Sequence, residues 1–341
     1  MITTEFDSPL SRDAGIRVPL ICGAMYPCSN PELVGAVSAA GGLGVVQPIS
    51  LTYVYGHEFR AGIRRTLSLA AGHPIGMNAL IEKSSARYHE RMVTWVEVAL
   101  EEGVRFFVTS LGNPGWVVER VHETGGKVYH DVTERKWALK AVDAGVDGLI
   151  AVNRRAGGHP GERSAVELLE SVSDLGLPVV CAGGVGGVTE FLEVLRLGYA
   201  GVQMGTRFIA TDECGASEAY KRAIVESDEE DIVWTEKITG TPVAVIRTPI
   251  IESMGTRAGP LARRLLKGSR TKGPMRTLYA LRSIWQLKRA SLDDTGSFEY
   301  WQAGRSVGSV SRIEPAAEIV RRFERSMQAE SRSGPAPTRG S

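Results

Sequence analysis

What this chain lacks narrows it first. Its four cysteines (Cys22, Cys28, Cys181 and Cys214) include no CxxC pair. Neither a zinc site nor a disulfide framework is therefore expected, and a reducing cytoplasm is the simplest compartment. Residues 1–15 have no basic start and no apolar stretch, so they do not read as a signal peptide. No apolar run approaches the ~18 residues a membrane helix needs. Charge of one sign is not in excess: the formal net charge is +1, which argues against nucleic-acid binding as the main role. No GxGxxG follows the first apolar run, so a dinucleotide-binding start is not signalled. The expected partners accordingly include no nucleic acid, no membrane and no metal.

What is present is a large potential core: 43% of residues are hydrophobic and 23% charged. Eight short apolar runs recur at 18–25, 42–48, 74–80, 105–112, 127–132, 147–153, 178–184 and 201–208. Each is continuous rather than alternating, as in parallel strands covered on both faces. The segments between them have helical spacing. One runs from Pro31 to Ala40, with Asn30 as N-cap and proline at the first helical position. Another runs from Thr133 to Ala144, with Thr133 as cap and Gly145 as its end. Eight such units predict an α/β fold, a (β/α)8 TIM barrel, over residues 1–228. A doubly wound open sheet fits less well, because the glycine clusters lie late in the chain rather than after the first strand.

Past the barrel the pattern changes. Residues 229–328 read as a C-terminal cap or insertion, a partly helical basic extension packing on the barrel. Within it 231–248 looks extended. Arg257 to Arg289 carries ten Lys/Arg and no acid. Its stretch 275–290 places Leu278, Leu281, Ile284, Trp285 and Leu287 on one helical face. That suits a cap helix with a solvated basic side, or a dock for an acidic partner, a phosphate-bearing substrate or a membrane surface, of which the cap is the expected reading. A helix from Pro315 to Met327 follows, and 329–341 has the composition of a disordered tail.

In a barrel the C-terminal strand ends form one mouth, where the active site is built. Here they bring Gly23, Ala24 and Met25; Gln47 and Pro48; Asn78; Ser110; His130; Val152 and Asn153; Gly183 and Gly184; and Gln203, Met204, Gly205 and Thr206. Glycine loops after the seventh and eighth strands commonly hold a phosphate through backbone N–H groups. After the sixth strand comes AGGHPG, in which Gly157 and Gly158 let backbone approach a flat ligand and His159 can move a proton near neutral pH. Arg155, four residues before His159, can grip an anionic group with two parallel hydrogen bonds, or it pairs with a surface acid such as Glu162. His130 faces the same mouth or is a satisfied core group.

Six motifs in this order, CGAM (22–25), AGGLGVVQP (40–48), GMNAL (76–80), AGGHPG (156–161), CAGG (181–184) and QMGTRF (203–208), resemble the nitronate monooxygenase family. The flavin-dependent enoyl-acyl carrier protein reductases share the barrel and much of the pattern. The resemblance implies an FMN cofactor. It implies flavin contacts from Asn78, Gly157, Gly184 and Gln203 to Thr206, and His159 as catalytic base. Two positions depart from the family pattern: Val152 stands where a glutamine is common, and Arg155 where an acid is common. The implied activity is oxidation of an alkyl nitronate by dioxygen. The alternatives are NAD(P)H-dependent reduction of an enoyl thioester and a flavin-binding docking module with little turnover. The substrate is expected to be a small molecule, anionic on the reading of Arg155, and a second copy of the chain is a further candidate partner.

Overall fold

The computed structural model describes residues 7–82, 86–237, 240–256, 287–292 and 300–333. Eight parallel strands close a barrel in sequence order. They are β1 (Leu20–Cys22), β2 (Leu43–Val46), β3 (Ile75–Leu80), β4 (Phe106–Ser110), β5 (Lys127–Val132), β6 (Gly148–Val152), β7 (Val179–Ala182) and β8 (Gly201–Met204). β1 pairs with β8 as well as β2, with Ile21 opposite Gln203. All eight expected strands are present, and the fold is the (β/α)8 TIM barrel.

The expected helices form as well. α1 (Pro9–Ala14) precedes the barrel. The connecting helices are α2 (Pro31–Ala39), α3 (Phe59–Leu69), α4 (Ala86–Glu101), α5 (Gly115–Glu123), α6 (Arg135–Asp143), α7 (Ala165–Glu170) and α8 (Val188–Arg196). The caps differ from expectation. Asn30 sits at the N-cap of α2, but its side chain makes no cap bond; it donates to Glu32 and to the Glu213 carbonyl, both at 2.8 Å, and so ties this loop to the one after β8. The N-cap of α6 is Glu134, not Thr133.

Strand alternation sorts the barrel wall into two faces. Val128 and Val132 of β5 pack outward against the helix layer. Tyr129 packs inward with Ile21, Leu43, Val45, Phe106, Val108, Ile150 and Val180. Burying each of these large apolar side chains contributes roughly 1.5–3 kcal/mol. α1 closes the N-terminal end, where Leu10 joins the inner cluster. A Cβ on Gly201 would lie 2.5 Å from Leu10 Cδ2 and from the Pro19 carbonyl, so only glycine lets α1 seat this closely.

After β8 come a short helix α9 (Thr206–Ile209) and α10 (Glu218–Glu226). The segment expected to be extended forms β9 (Ile232–Thr235) and β10 (Val243–Ile246), paired antiparallel. A final helix (Ala316–Ser333) packs between α8 and α2, with Phe323 edge-on to Phe191 at 4.7 Å. Arg17 and Arg196 pair with its Glu324 and Glu330. The helix runs past Met327 to Ser333 because its apolar face, which includes Ile319, Val320 and Phe323, lies on the barrel; residues 334–341 lie outside the described residues. Of the basic stretch, 257–286 also lie outside them. Residues 287–292 are helical, and Leu287 and Ala290 are buried with Val243, Val245 and Tyr300.

Candidate active site

The loop after β6 is built by its own backbone and by distant chain. Asn153 Oδ1 accepts from Arg155 N at 2.8 Å, and its amide donates to the Gly183 carbonyl at 2.9 Å. Gly158 bridges to β10, where Ala244 N donates to the Gly158 carbonyl at 2.8 Å. Ala303 N in turn donates to the Ala244 carbonyl, and Arg305 N donates to the Arg155 carbonyl at 2.9 Å. The post-barrel chain is thus laid across the mouth as a strap.

His159 is exposed on this loop. Its Nδ1 lies 2.9 Å from the Pro242 carbonyl oxygen and 3.4 Å from Thr241 Oγ1. A carbonyl only accepts, so Nδ1 is the donor, and in the neutral form of the ring it is Nε2 that carries the lone pair. His130 is different. It shares the outer face of β5 with Val128 and Val132, is buried, and sits 2.8 Å from Thr109 Oγ1 through Nδ1. Burial pushes it down to about 4, so it is a neutral wall residue that does not face the mouth.

The glycine loops do meet, though not quite as expected. Gly183 and Gly184 have φ of 113° and 81°, left-handed values that favour glycine. The space a Cβ would fill is taken by Asn153 and Ala156 at Gly183, and by Arg155 at Gly184. These glycines therefore let the β6 and β7 loops close on each other. At Gly205 a Cβ would meet Met25 Sδ at 3.3 Å, and Gly23 N donates to the Met204 carbonyl. The ends of β1 and β8 are thus one continuous surface, with the Met204 side chain turned to the outer layer. Among the described residues, the N–H groups of Gly184, Gly205 and Thr206 donate to no other group of the protein, which fits an anion such as a phosphate.

The inner face of the mouth holds Asn78, whose amide donates to the Val108 carbonyl at 3.2 Å. Gln47 lies just past β2 and accepts from Ser50 N at 2.6 Å. Gln203 faces the same interior from β8 and favours the ionised form of the Asp131 carboxyl. Asp131 shares the inner face of β5 with Tyr129, and burial pushes it up to about 7. As a whole the residue is only half-buried, yet its Oδ1 and the Oε1 of Gln203 are sealed and without partners. These polar groups fit the edge of a flavin ring. Sequence reasoning missed Asp131, and the signal was available: a carboxylate beside the histidine of an apolar strand.

The strap supplies further residues that sequence reasoning missed. Gly304 N donates to Thr206 Oγ1 at 3.0 Å, and a Cβ on Gly304 would lie 2.5 Å from Gly157 N. Arg207, in the same motif as Thr206, is buried and donates to the Ala210 and Arg312 carbonyls. Its role is to pin the β8 loop to the chain before the last helix. Arg155 forms an ion pair with Glu229, not Glu162. Arg154, Arg155, Arg305, Glu162 and Trp234 line one open cleft beside the His159 loop.

Comparison with known proteins places this geometry. The chain is 30% identical over 275 residues to a hydroxy-methyl-oxo-octahydroindene-carboxyl-CoA dehydrogenase of Mycobacterium tuberculosis, covering 80% of this chain and 74% of that one. It is 30% identical over 281 residues to a probable nitronate monooxygenase of Staphylococcus saprophyticus, covering 70% and 78%. Among solved structures, FabK of Thermotoga maritima superposes with a TM-score of 0.76 at 25% identity, over 96% of this chain and 97% of that one. A family model, nitronate monooxygenase, matches residues 7–324. Its (β/α)8 barrel, its histidine loop and its match along nearly the whole length make this chain a member of the nitronate monooxygenase family, and a flavin-dependent oxidoreductase.

Proposed function

We propose that this protein binds one FMN and oxidises alkyl nitronates with dioxygen. The observation that carries the reading is the fixed tautomer of His159. Its Nδ1–H is held by the Pro242 carbonyl, so Nε2 is left as a proton acceptor at the exposed rim of the mouth. Nε2 takes the proton from the carbon of a neutral nitroalkane; when the nitronate arrives already ionised, the same ring orients the anion. Gly184, Gly205 and Thr206 would hold the FMN phosphate. Gly23, Ala24, Met25, Asn78, Gly157 and Gln203 would line the ring, with Gly183 and Met204 contributing backbone. When bound, the flavin supplies an acceptor for an electron pair, and the protein supplies orientation and control of water.

A second reading is favoured by the cleft of Arg154, Arg155 and Arg305 with Trp234. Guanidinium groups and an indole suit the phosphates and adenine of a coenzyme A thioester, and the Mycobacterium relative is named for such a substrate. Here Arg155 would share its charge between Glu229 and the substrate. Anaerobic mixing separates the two readings. Rapid loss of flavin absorbance with a nitronate and none with NADH or NADPH supports the first; bleaching by NADH or NADPH alone supports the second. Heat release and mass measurement identify the cofactor, and FAD or no flavin would refute the FMN assignment.

A further inference from the structure

We propose that the cleft beside the His159 loop is a nucleotide site for an adenosine bearing a ribose phosphate, and that Glu229 holds the place of one phosphate until the ligand displaces it. The proposal deepens the second reading above and rests on it for the choice of adenine. The handle it names is shared by coenzyme A, with a 3′-phosphate, and by NADPH, with a 2′-phosphate.

The cleft is assembled from three parts of the chain. Arg154, Arg155 and Glu162 come from the loop after β6, Trp234 from β9 and Arg305 from the strap. Its volume is about 550 Å³, within the range of small-ligand pockets. Backbone bonds hold the parts in register. Arg154 N donates to the Arg163 carbonyl at 2.8 Å, and Arg305 N to the Arg155 carbonyl at 2.9 Å. Trp234 lies opposite Ala244 in the pairing of β9 with β10, and Ala244 N is the donor to Gly158 in the His159 loop. The indole and the arginines are therefore placed against one another by the same strap.

The charges in the cleft are unevenly used. Among the described residues the Arg154 and Arg305 guanidiniums make no hydrogen bond or ion pair, and Glu162 on the same wall pairs with neither. Arg155 alone has a carboxylate, that of Glu229. Glu229 opens the short 3₁₀ turn Glu229–Asp231 after α10. The pair is partly exposed, 41% on the Arg155 side and 33% on the Glu229 side, so opening it costs little.

Guanidinium groups without an acceptor suit a multiply charged anion, because each offers paired N–H donors to phosphate oxygens. The Glu229 carboxylate gives Arg155 the same pair of oxygens from within the chain. Trp234 is 38% exposed and offers a purine a face to stack on. The Glu162 carboxylate accepts from a ribose hydroxyl or from the amine of the ring. A simple anion would use the arginines and leave the indole and Glu162 idle. A phosphorylated adenosine uses every residue that lines the cleft.

The test is calorimetric titration of the purified protein, with whatever cofactor it carries, by adenosine 3′,5′-bisphosphate, adenosine 2′,5′-bisphosphate and adenosine 5′-monophosphate. At least one bisphosphate should bind at one site per chain, more tightly than the monophosphate, and quench part of the tryptophan fluorescence. A tighter 3′,5′ form assigns the handle of coenzyme A, and a tighter 2′,5′ form that of NADPH. Arg305→Gln should weaken binding by about tenfold or more, the loss of a charged hydrogen bond. Trp234→Leu should weaken it by roughly fivefold or more and abolish the quench. Glu229→Gln should tighten it by up to about fivefold, the range of a partly exposed ion pair. Melting temperatures near that of the wild type confirm that the variants fold. Failure of both bisphosphates to bind, or binding that neither Arg305→Gln nor Trp234→Leu weakens, would overturn the site. A monophosphate bound as tightly as either bisphosphate would overturn the ribose-phosphate assignment. Unchanged or weaker binding in Glu229→Gln would overturn the placeholder role. Whether NADPH bleaches the flavin decides the second reading, and nucleotide binding decides this one, so either can fail alone.

Discussion

The two ends of this barrel solve opposite problems. The N-terminal end is closed by apolar groups that satisfy one another: Leu10, Ile21, Leu43, Phe106 and Tyr129 pack without a polar atom left over, and the one hydroxyl, that of Tyr129, donates to Asp13 at 2.8 Å. The C-terminal end leaves things unfinished. Two acceptors are sealed without a donor, an imidazole nitrogen is left bare, and three arginines share one cleft. The first end is organised for stability, and the second keeps polar groups unsatisfied for use by a ligand.

That contrast can be broken from either side. The largest loss of stability should come from Phe106→Ala at the closed end, about 3–5 kcal/mol for a buried aromatic, read as a fall in the denaturant midpoint with little change in substrate preference. His159→Ala should do the reverse. Turnover should fall by roughly 10²–10⁴-fold, as for loss of an acid–base group, while melting temperature and flavin content stay near those of the wild type. An equal loss of stability would make the histidine a packing residue.

Asp131→Asn sharpens the comparison through pH. The Asp131 carboxyl is raised to about 7 in the folded chain, against about 4 when unfolded. The folded state thus binds the proton more tightly. Its stabilising contribution is complete below pH ~4 and is lost as pH rises to ~7. Asparagine does not titrate. The variant should therefore gain on the wild type across that window, by on the order of 2–4 kcal/mol at most, and chemical denaturation at several pH values will read it. A constant offset would show that Asp131 ionises normally.

Glu229→Gln should have the smallest effect. The ion pair with Arg155 is partly exposed on both sides, so stability should change by only about 0–1 kcal/mol. The freed guanidinium should instead lower the Michaelis constant of an anionic substrate relative to a neutral analogue of the same size. No difference between the two substrates would remove Arg155 from recognition.

Element order was legible in the sequence because a continuous apolar run bounded by glycine has few uses other than a covered parallel strand. The facing of each side chain was not. A run such as KVYHDV carries no alternation of polarity, so nothing local says that His130 looks out and Asp131 looks in; closure of the barrel decides it. The family motifs located Asn78, His159 and the two glycine loops. They did not show that the space beside Gly183 and Gly184 is filled by Asn153 and Arg155, nor that Arg155 meets Glu229, because those contacts join segments far apart in sequence.

The hydrogen bond from His159 to the Pro242 carbonyl has a consequence for how such a barrel can be shortened. The eight strands keep their apolar interior whether or not β10 is present, since Ile246 and its neighbours lie outside that cluster. Yet the carbonyl that decides which ring nitrogen is basic comes from the turn leading into β10, and β10 is itself held by Gly158 and Ala303. A chain ending after α10 would keep the strand-end mouth and lose the carbonyl that holds the His159 Nδ1 hydrogen. Its imidazole would exchange tautomers freely, spending part of its time with a hydrogen where a lone pair is needed. If His159 is the base proposed above, its acid–base competence is inherited jointly, from a loop of the barrel and from a segment about eighty residues downstream.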